Sequence, residues 1–365
     1  MLRRTLLASA VAAMALTTGA SAQSVDEAKQ FVDQFASRQD TWTGPTTGPA
    51  AQPDKLVVML ASDLTNGGVL GAAEGSKEAA AAIGWDLRII EGAGTISGRT
   101  AAFNQALALN PDGIIINGFN PTEQQVGLEA AQNANIPMVA WHATSDNGPA
   151  PDVGLFANIT TNARDVSLAA AYWAFVDAEE QPKVVIFTDS TYQIAIDKAD
   201  WMKEAIENLG GEVLEYVDTP IAETSTRMPQ LTTSLLQRHG AKWTHSLAIN
   251  DLYFDFMGPS LAAAGIPGDG GPIAVAAGDG SQAAYQRVRT QEYQAVTVAE
   301  PLNLQGWQMI DELNRAFAGE EWSGFNSPLH VVTPDNIEFD GGPNNTFDPD
   351  NGYRDAYKKI WGVAG

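Results

Sequence analysis

Carboxylates, carboxamides and aromatic rings recur in this chain just after short apolar runs: Asp63 and Asn66, Trp141 and His142, Asp189 and Tyr192, Asn250 and Asp251, Asp279, and Glu300. Side chains of this kind suit a polyhydroxylated solute, whose hydroxyls donate to carboxylates while aromatic faces cover its C–H surfaces. Chemistry that would transform a solute is harder to find. His142, His239, His245 and His330 show no metal-ligand spacing. The chain has no Cys, which excludes disulfides, thiolate metal sites and Cys nucleophiles. No Gly-x-Ser-x-Gly elbow occurs, and Gly92-Ala93-Gly94 and Gly265-Ile266-Pro267-Gly268 lack the Gly-Lys-Ser/Thr of a phosphate loop. Phe347-Asp348-Pro349-Asp350-Asn351-Gly352 resembles the start of a calcium loop, but Lys359 stands where the closing Glu would be, so the segment reads as a solvated turn. The enzymatic alternative is a glycosidase using carboxylates such as Asp189 and Asp279, which would need to lie about 5–10 Å apart.

Most of the polar residues have a second reading. An Asp or Asn at a strand end also caps the helix that follows, and for Asp63, Asp189 and Asp251 both roles stand. Asp279 is sharper, because Ala276-Ala277-Gly278 and Gly280 clear space around it for a guest. Trp141 next to His142, before an irregular loop, reads as a cleft wall, with packing between lobes as the alternative.

The elements that position these residues are regular. Leu56–Leu60 is apolar without alternation, as in a strand buried on both faces. An Ala-rich helix over 67–83 ends at Gly84, and strand and helix then alternate through 87–90, 97–109, 113–116, 122–134 and 138–141 to the 153–159 region. From Asn162 the pattern starts again and runs to about residue 298. The expected fold is therefore α/β: two similar lobes, each a doubly wound parallel sheet, joined by a three-segment hinge near Ile159, Pro301 and Phe325. In such sheets ligands sit beyond the carboxyl ends of the strands, where the polar residues fall. The expected organisation is a signal peptide over 1–22, a helix and Gly/Pro-rich arm over 23–54 laid on the first lobe, a first lobe of 55–159 plus 301–325, and a second lobe of 160–300 plus 326–365.

Arg3 and Arg4, the apolar run Leu6–Leu16 and the small-residue site Ala20-Ser21-Ala22 make a secretory leader, too short in its apolar part to span a bilayer. No later stretch approaches spanning length, so a soluble periplasmic protein is expected. The 21 Lys and Arg against 44 Asp and Glu give a net charge of −23, and loss of the leader takes two Arg and no acid, leaving −25. Such a chain repels nucleic acid and anionic lipid. About 340 mature residues suffice for two domains with cores of their own.

The ordered set Ala61-Ser62-Asp63-Leu64-Thr65-Asn66, Asn110–Ile116, Ala131–Val139, Ala248-Ile249-Asn250-Asp251 and Ala277-Gly278-Asp279-Gly280 resembles the sugar-binding, ribose-binding-protein-like branch of the type I periplasmic solute-binding proteins. The resemblance covers about Lys55 to Val332. It implies ligand capture at the hinge and an ABC transporter permease in the inner membrane as partner; the expected form is a monomer without cofactor or metal. Residue by residue, the family's polar ligand contacts fall on Asn66, Asn250, Asp279 and, at the last hinge crossing, Glu300. Trp141-His142 stands where sugar-binding relatives carry Asp-Arg, a second family Arg falls near Ile196, and Gly67-Gly68-Val69 replaces aromatics. The expectation is a site that has lost two fixed cations and kept its carboxylates. That disfavours anionic ligands, favours a neutral sugar or polyol, and admits a cationic solute with Trp141 as a cation–π face. A sugar-sensing ectodomain shares the same fold and stays open.

Overall fold

The computed structural model describes residues 14–178 and 181–363, with side chains from residue 25 onward. The basic start and most of the apolar run of the expected leader lie outside the described residues. Among those described, no helix is long and apolar enough to cross a membrane.

Two six-stranded sheets form two lobes. The first lobe holds β1 (Leu56–Ala61), β2 (Asp86–Glu91), β3 (Gly113–Asn117), β4 (Met138–Trp141), β5 (Gly148–Ala150) and β6 (Leu155–Ile159) in the order β2-β1-β3-β4-β6-β5. The second holds β7 (Lys183–Thr188), β8 (Glu212–Asp218), β9 (His245–Ala248), β10 (Ile273–Ala276), β11 (Gln294–Ala299) and β12 (His330–Val332) in the order β12-β11-β10-β9-β7-β8. All pairings are parallel except the edge strands β5 and β12. The Gly-Pro-Ala of β5 lacks an apolar pattern and is a strand only through its pairing with β6.

The central strands β1 and β3 are buried along almost their whole length, as their unbroken apolar runs require. Register aligns their ends: Ala61 lies beside Asn117, Asn117 beside Trp141, and Trp141 beside Ile159. In the second sheet Phe187, Ala248, Ala276 and Thr297 make the matching row. Every loop that carries a candidate residue leaves from one of these two rows or from the strand just beyond it.

Helices cover both sheets. In the first lobe α2 (Gly67–Ile83) packs along α10 (Leu302–Ala318). The approach is backbone to backbone: a Cβ on Gly75 would sit 2.5 Å from the Asn303 carbonyl oxygen, and one on Gly306 2.3 Å from the Ser76 nitrogen. This contact sets where α2 begins, and α2 begins at the cleft. In the second lobe α5 (Ala163–Asp177) and α6 (Gln193–Asn208) pack together on the sheet.

The ends of the chain depart from expectation. Helix α1 (Met14–Phe35) packs on α5 of the second lobe, with Phe31 edge-on to Tyr172, and only the segment after it reaches the first lobe. There Trp42 lies against Phe325, the Ala51 nitrogen donates to the Trp361 carbonyl, and the Gln52 nitrogen donates to Asn314. The tail returns too. Residues 353–361 form α11 (Tyr353–Trp361), which was expected on the second lobe and packs on α10 and α2 of the first. Its stripe of Tyr353, Tyr357 and Trp361, spaced by one turn, buries against Trp307, and Trp361 stacks on it at 5.4 Å. Asp348, in the segment resembling a calcium loop, instead accepts from Arg354 and from the Tyr353 hydroxyl. The arm and the tail thus add two passages between the lobes to the three expected hinge segments.

Candidate functional site

Between the lobes lies a chamber enclosing about 610 Å³ of space, its open mouth included. Seven residues singled out from the sequence line it: Asp63, Asn66, Trp141 and His142 from the first lobe, and Tyr192, Asn250 and Asp279 from the second. The lobes are closed on each other. A Cβ on Gly68, in the first turn of α2, would lie 2.2 Å from Oδ2 of Asp279, and one on Gly94 would lie 3.1 Å from Cβ of Ala222. Arg99 of the first lobe donates to the Tyr192 hydroxyl at 3.4 Å, and Ser145 donates to Asp197.

Capping and lining prove compatible. Asn66 Oδ1 accepts from the Gly68 nitrogen and starts α2, while the residue still lines the chamber. Asn250 Oδ1 likewise accepts from Leu252; Asp63 caps no helix, its Oδ1 accepting from Thr65 within the turn before Asn66. Asp251, whose role the sequence left open, is buried beneath the turn that carries Asp279. Its Oδ2 accepts from the Gly280 and Ser281 nitrogens, at 2.8 and 3.0 Å, and its Oδ1 from Gln294. It positions Asp279.

Two expected site residues do not line the chamber. Asp189 spends both carboxylate oxygens on its own surroundings: Oδ1 takes the Thr191 nitrogen and hydroxyl, and Oδ2 takes the Ile221 nitrogen at 2.7 Å. It caps no helix; it ties its own turn to the backbone at Ile221 and stands outside the chamber lining. Glu300 sits behind His142 at the crossover from β11 to α10. Its Oε2 accepts from His142 Nε2 at 2.9 Å, from Gln305 at 3.0 Å, and from the Thr161 nitrogen and hydroxyl. Gln305 in turn accepts from Trp141 Nε1 at 2.8 Å. A carboxylate at one hinge strand thereby ties the first lobe's His142 to a second crossover at Thr161.

The expectation that the site lost its fixed cations fails at Lys198. This side chain, 3% exposed, lines the chamber with its ammonium 4.0 Å from Glu300 Oε1. Lys198 lies on α6 one turn beyond Ile194 and Ala195, which also line the chamber. The helical period was the signal that would have found it. Burial alone raises the Glu300 carboxyl, but His142, Lys198 and the Thr161 hydrogen bond outweigh that and hold it well below the usual range. Asp279 goes the other way: burial pushes it up to about 6, Lys198 and His142 pull it back, and the nearby Glu300 and Asp251 add to the rise.

Trp141 is also less available than expected. The His142 ring stacks on it at 3.6 Å and 8°, covering one indole face. The donor atoms of His142, Asp279 and Glu300 lie within 4.8 Å of one another, a spacing that could bracket an ion. Here the Glu300 oxygen already accepts several donors and Lys198 supplies a positive charge alongside, so the protein balances this cluster from its own side chains.

A profile of the periplasmic binding protein domain matches residues 57–321. The chain belongs to the periplasmic binding protein family. Solved structures agree on the fold. An ABC transporter solute binding protein from Agrobacterium vitis bound with alpha-D-tagatopyranose superposes with a TM-score of 0.70 at 14% identity, covering 80% of this chain and 99% of that one. A second from the same organism, with bound allitol, gives 0.67 at 16% identity over 78% and 97%. A periplasmic ribose ABC transporter protein from Conexibacter woesei gives 0.65 at 18% over 80% and 95%. No curated protein sequence matches the chain. The arm before residue 57 and the tail after 321 lie outside the matched domain.

Proposed function

We propose that this protein is the solute-binding component of an ABC importer, exported to the periplasm on its N-terminal leader. It captures a small neutral sugar or polyol by closing its lobes, hands it to a membrane permease and does no chemistry on it. The observation that carries this reading is the convergence, on one interlobe chamber, of polar and aromatic residues from both lobes around a floor whose charges are balanced from within. Lys198 faces Asp279 and Glu300, so neither a bare anion nor a bare cation finds an unanswered partner there. A hydroxyl-bearing guest, able to donate to Asp63 and Asp279 and accept from Asn66 and Asn250, does. The solved relatives' sugar and polyol ligands agree with this choice. Only in the closed form can a guest touch both lobes, and so it stabilises closure.

A thermal-shift screen of pentoses, hexoses, polyols and quaternary amines tests it. Saturation at 100 to 1,000 times the dissociation constant adds roughly 3–4 kcal/mol of stability. Stabilisation by amines alone, or conversion of any bound sugar to product, rejects the reading.

A further inference from the structure

Against the chamber lies a second pocket, which shares Tyr192, His142 and Ile194 with it as wall residues and encloses about 550 Å³, again including its open mouth. Both lobes build this annex: the turn after β3 (Asn120, Thr122, Glu123) from one side, and the loop after β7 with the start of α6 (Ser190, Thr191, Gln193) from the other. It is complete only when the lobes are closed. From these observations we propose that the protein's ligand is a two-unit neutral glycan, a disaccharide or glycosyl polyol, with one unit in the inner chamber and the second in this annex. The proposal rests on the sugar-binding reading above and narrows it.

The annex offers hydrogen bonds of both kinds. Asn120 Oδ1 is occupied by the Thr122 nitrogen and hydroxyl, which leaves the amide nitrogen as a donor without a protein partner. Gln193 donates its amide to Asp197, which leaves its carbonyl oxygen as an acceptor. Glu123 gives Oε2 to Arg99 and keeps Oε1. Hydroxyls both donate and accept, so they meet all three. No Lys or Arg is among the described residues that line the annex, and Arg99 is already paired with Glu123, so a phosphate or carboxylate would find no free counter-charge there. Ile194 and Ile196 supply an apolar strip against which a sugar's C–H face can lie. Tyr192, held by Arg99, stands at the junction as the partition between the two units.

Titration calorimetry with a panel of neutral disaccharides and their constituent monosaccharides tests this. At least one disaccharide should bind tenfold or more tightly than either of its units. Gln193→Ala should remove most of that gain and leave monosaccharide binding as it was. Asn120→Asp, which keeps the capping oxygen and removes the donor, should do the same, with ligand-free melting points confirming that both variants fold. If a monosaccharide binds as tightly as every disaccharide that contains it, or if the two variants weaken both alike, the annex is not a subsite and the narrower claim falls while sugar binding stands. If no sugar of either size binds, both fall.

Discussion

Gly68→Ala should weaken ligand capture without harming the free protein. Gly68 sits in the first turn of α2 in an ordinary helical conformation, so alanine fits the backbone and there favours the helix by up to about 1 kcal/mol. The conflict arises only across the cleft. The added Cβ would meet Asp279 at 2.2 Å from Oδ2, 2.6 Å from Cγ and 2.8 Å from Cβ, where ordinary contact needs well over 3 Å. The lobes must therefore part by about 1 Å at this point, or the Asp279 turn must yield. That turn is pinned from beneath by Asp251 through two backbone hydrogen bonds, which makes the first outcome the expected one. Overpacking of this kind costs about 1–3 kcal/mol. Because the open form is spared, the cost falls on ligand-bound closure, a loss of roughly 5- to 150-fold in affinity. Calorimetry with the best sugar from the thermal screen reads the loss, and the ligand-free melting point should stay level or rise. Gly75→Ala serves as the control. Its Cβ would press on the Asn303 carbonyl inside the first lobe, so stability should fall while the surviving protein keeps its affinity. An unchanged dissociation constant for Gly68→Ala would refute the claim that the bound state has this closed geometry.

Three further outcomes follow from the same contacts. Lys198→Met strips the floor of its fixed cation and leaves Asp279 and Glu300 facing each other, so the melting point should drop by the equivalent of roughly 3–5 kcal/mol, more steeply at pH 7.5 than at 5.5; a drop independent of pH would argue against charge compensation. Asp279, raised from 3.8 to about 6, keeps a proton in the closed fold that it loses when exposed. Its stabilising contribution is therefore full below pH 4 and is lost as pH rises through about 6, so melting points should decline between about pH 4 and 6 and the decline should flatten in Asp279→Asn. Glu300, held low, acts oppositely, and its contribution disappears only in acid. Trp42→Ala loosens the arm where it crosses to Phe325 and Tyr357, so small-angle scattering of the ligand-free variant should show a larger radius of gyration; an identical radius means the arm does not restrain opening.

The fold was legible because strands buried on both faces must be apolar throughout, and such runs, separated by helix-length segments, allow few arrangements. Strand-end logic then located most of the chamber, since register aligns those ends whatever the side chains do. It could not say which way a carboxylate turns. Asp63 and Asp189 occupy equivalent places in the two lobes, yet Asp63 lines the chamber while Asp189 is consumed by the backbone nitrogen of Ile221, a residue 32 positions away. The one-turn spacing of Tyr353, Tyr357 and Trp361 carries a helix that goes unread behind the Asp/Asn-rich segment before it, and nothing local tells which lobe holds its partner Trp307.

The Gly67-Gly68 pair shows the limit most clearly. In the sequence it reads as a loss, the disappearance of aromatic walls next to Asn66. Across the closed cleft it is a permission. With no side chain at either position, the start of α2 comes against Asp279 and Ser281, and a Cβ on Gly67 would lie 2.5 Å from Cβ of Ser281. What fills the space where an aromatic would stand is the opposite lobe, bringing with it the carboxylate that Lys198 and Asp251 hold ready. A missing side chain has no chemistry of its own to read; its meaning lies in what the rest of the fold puts in its place.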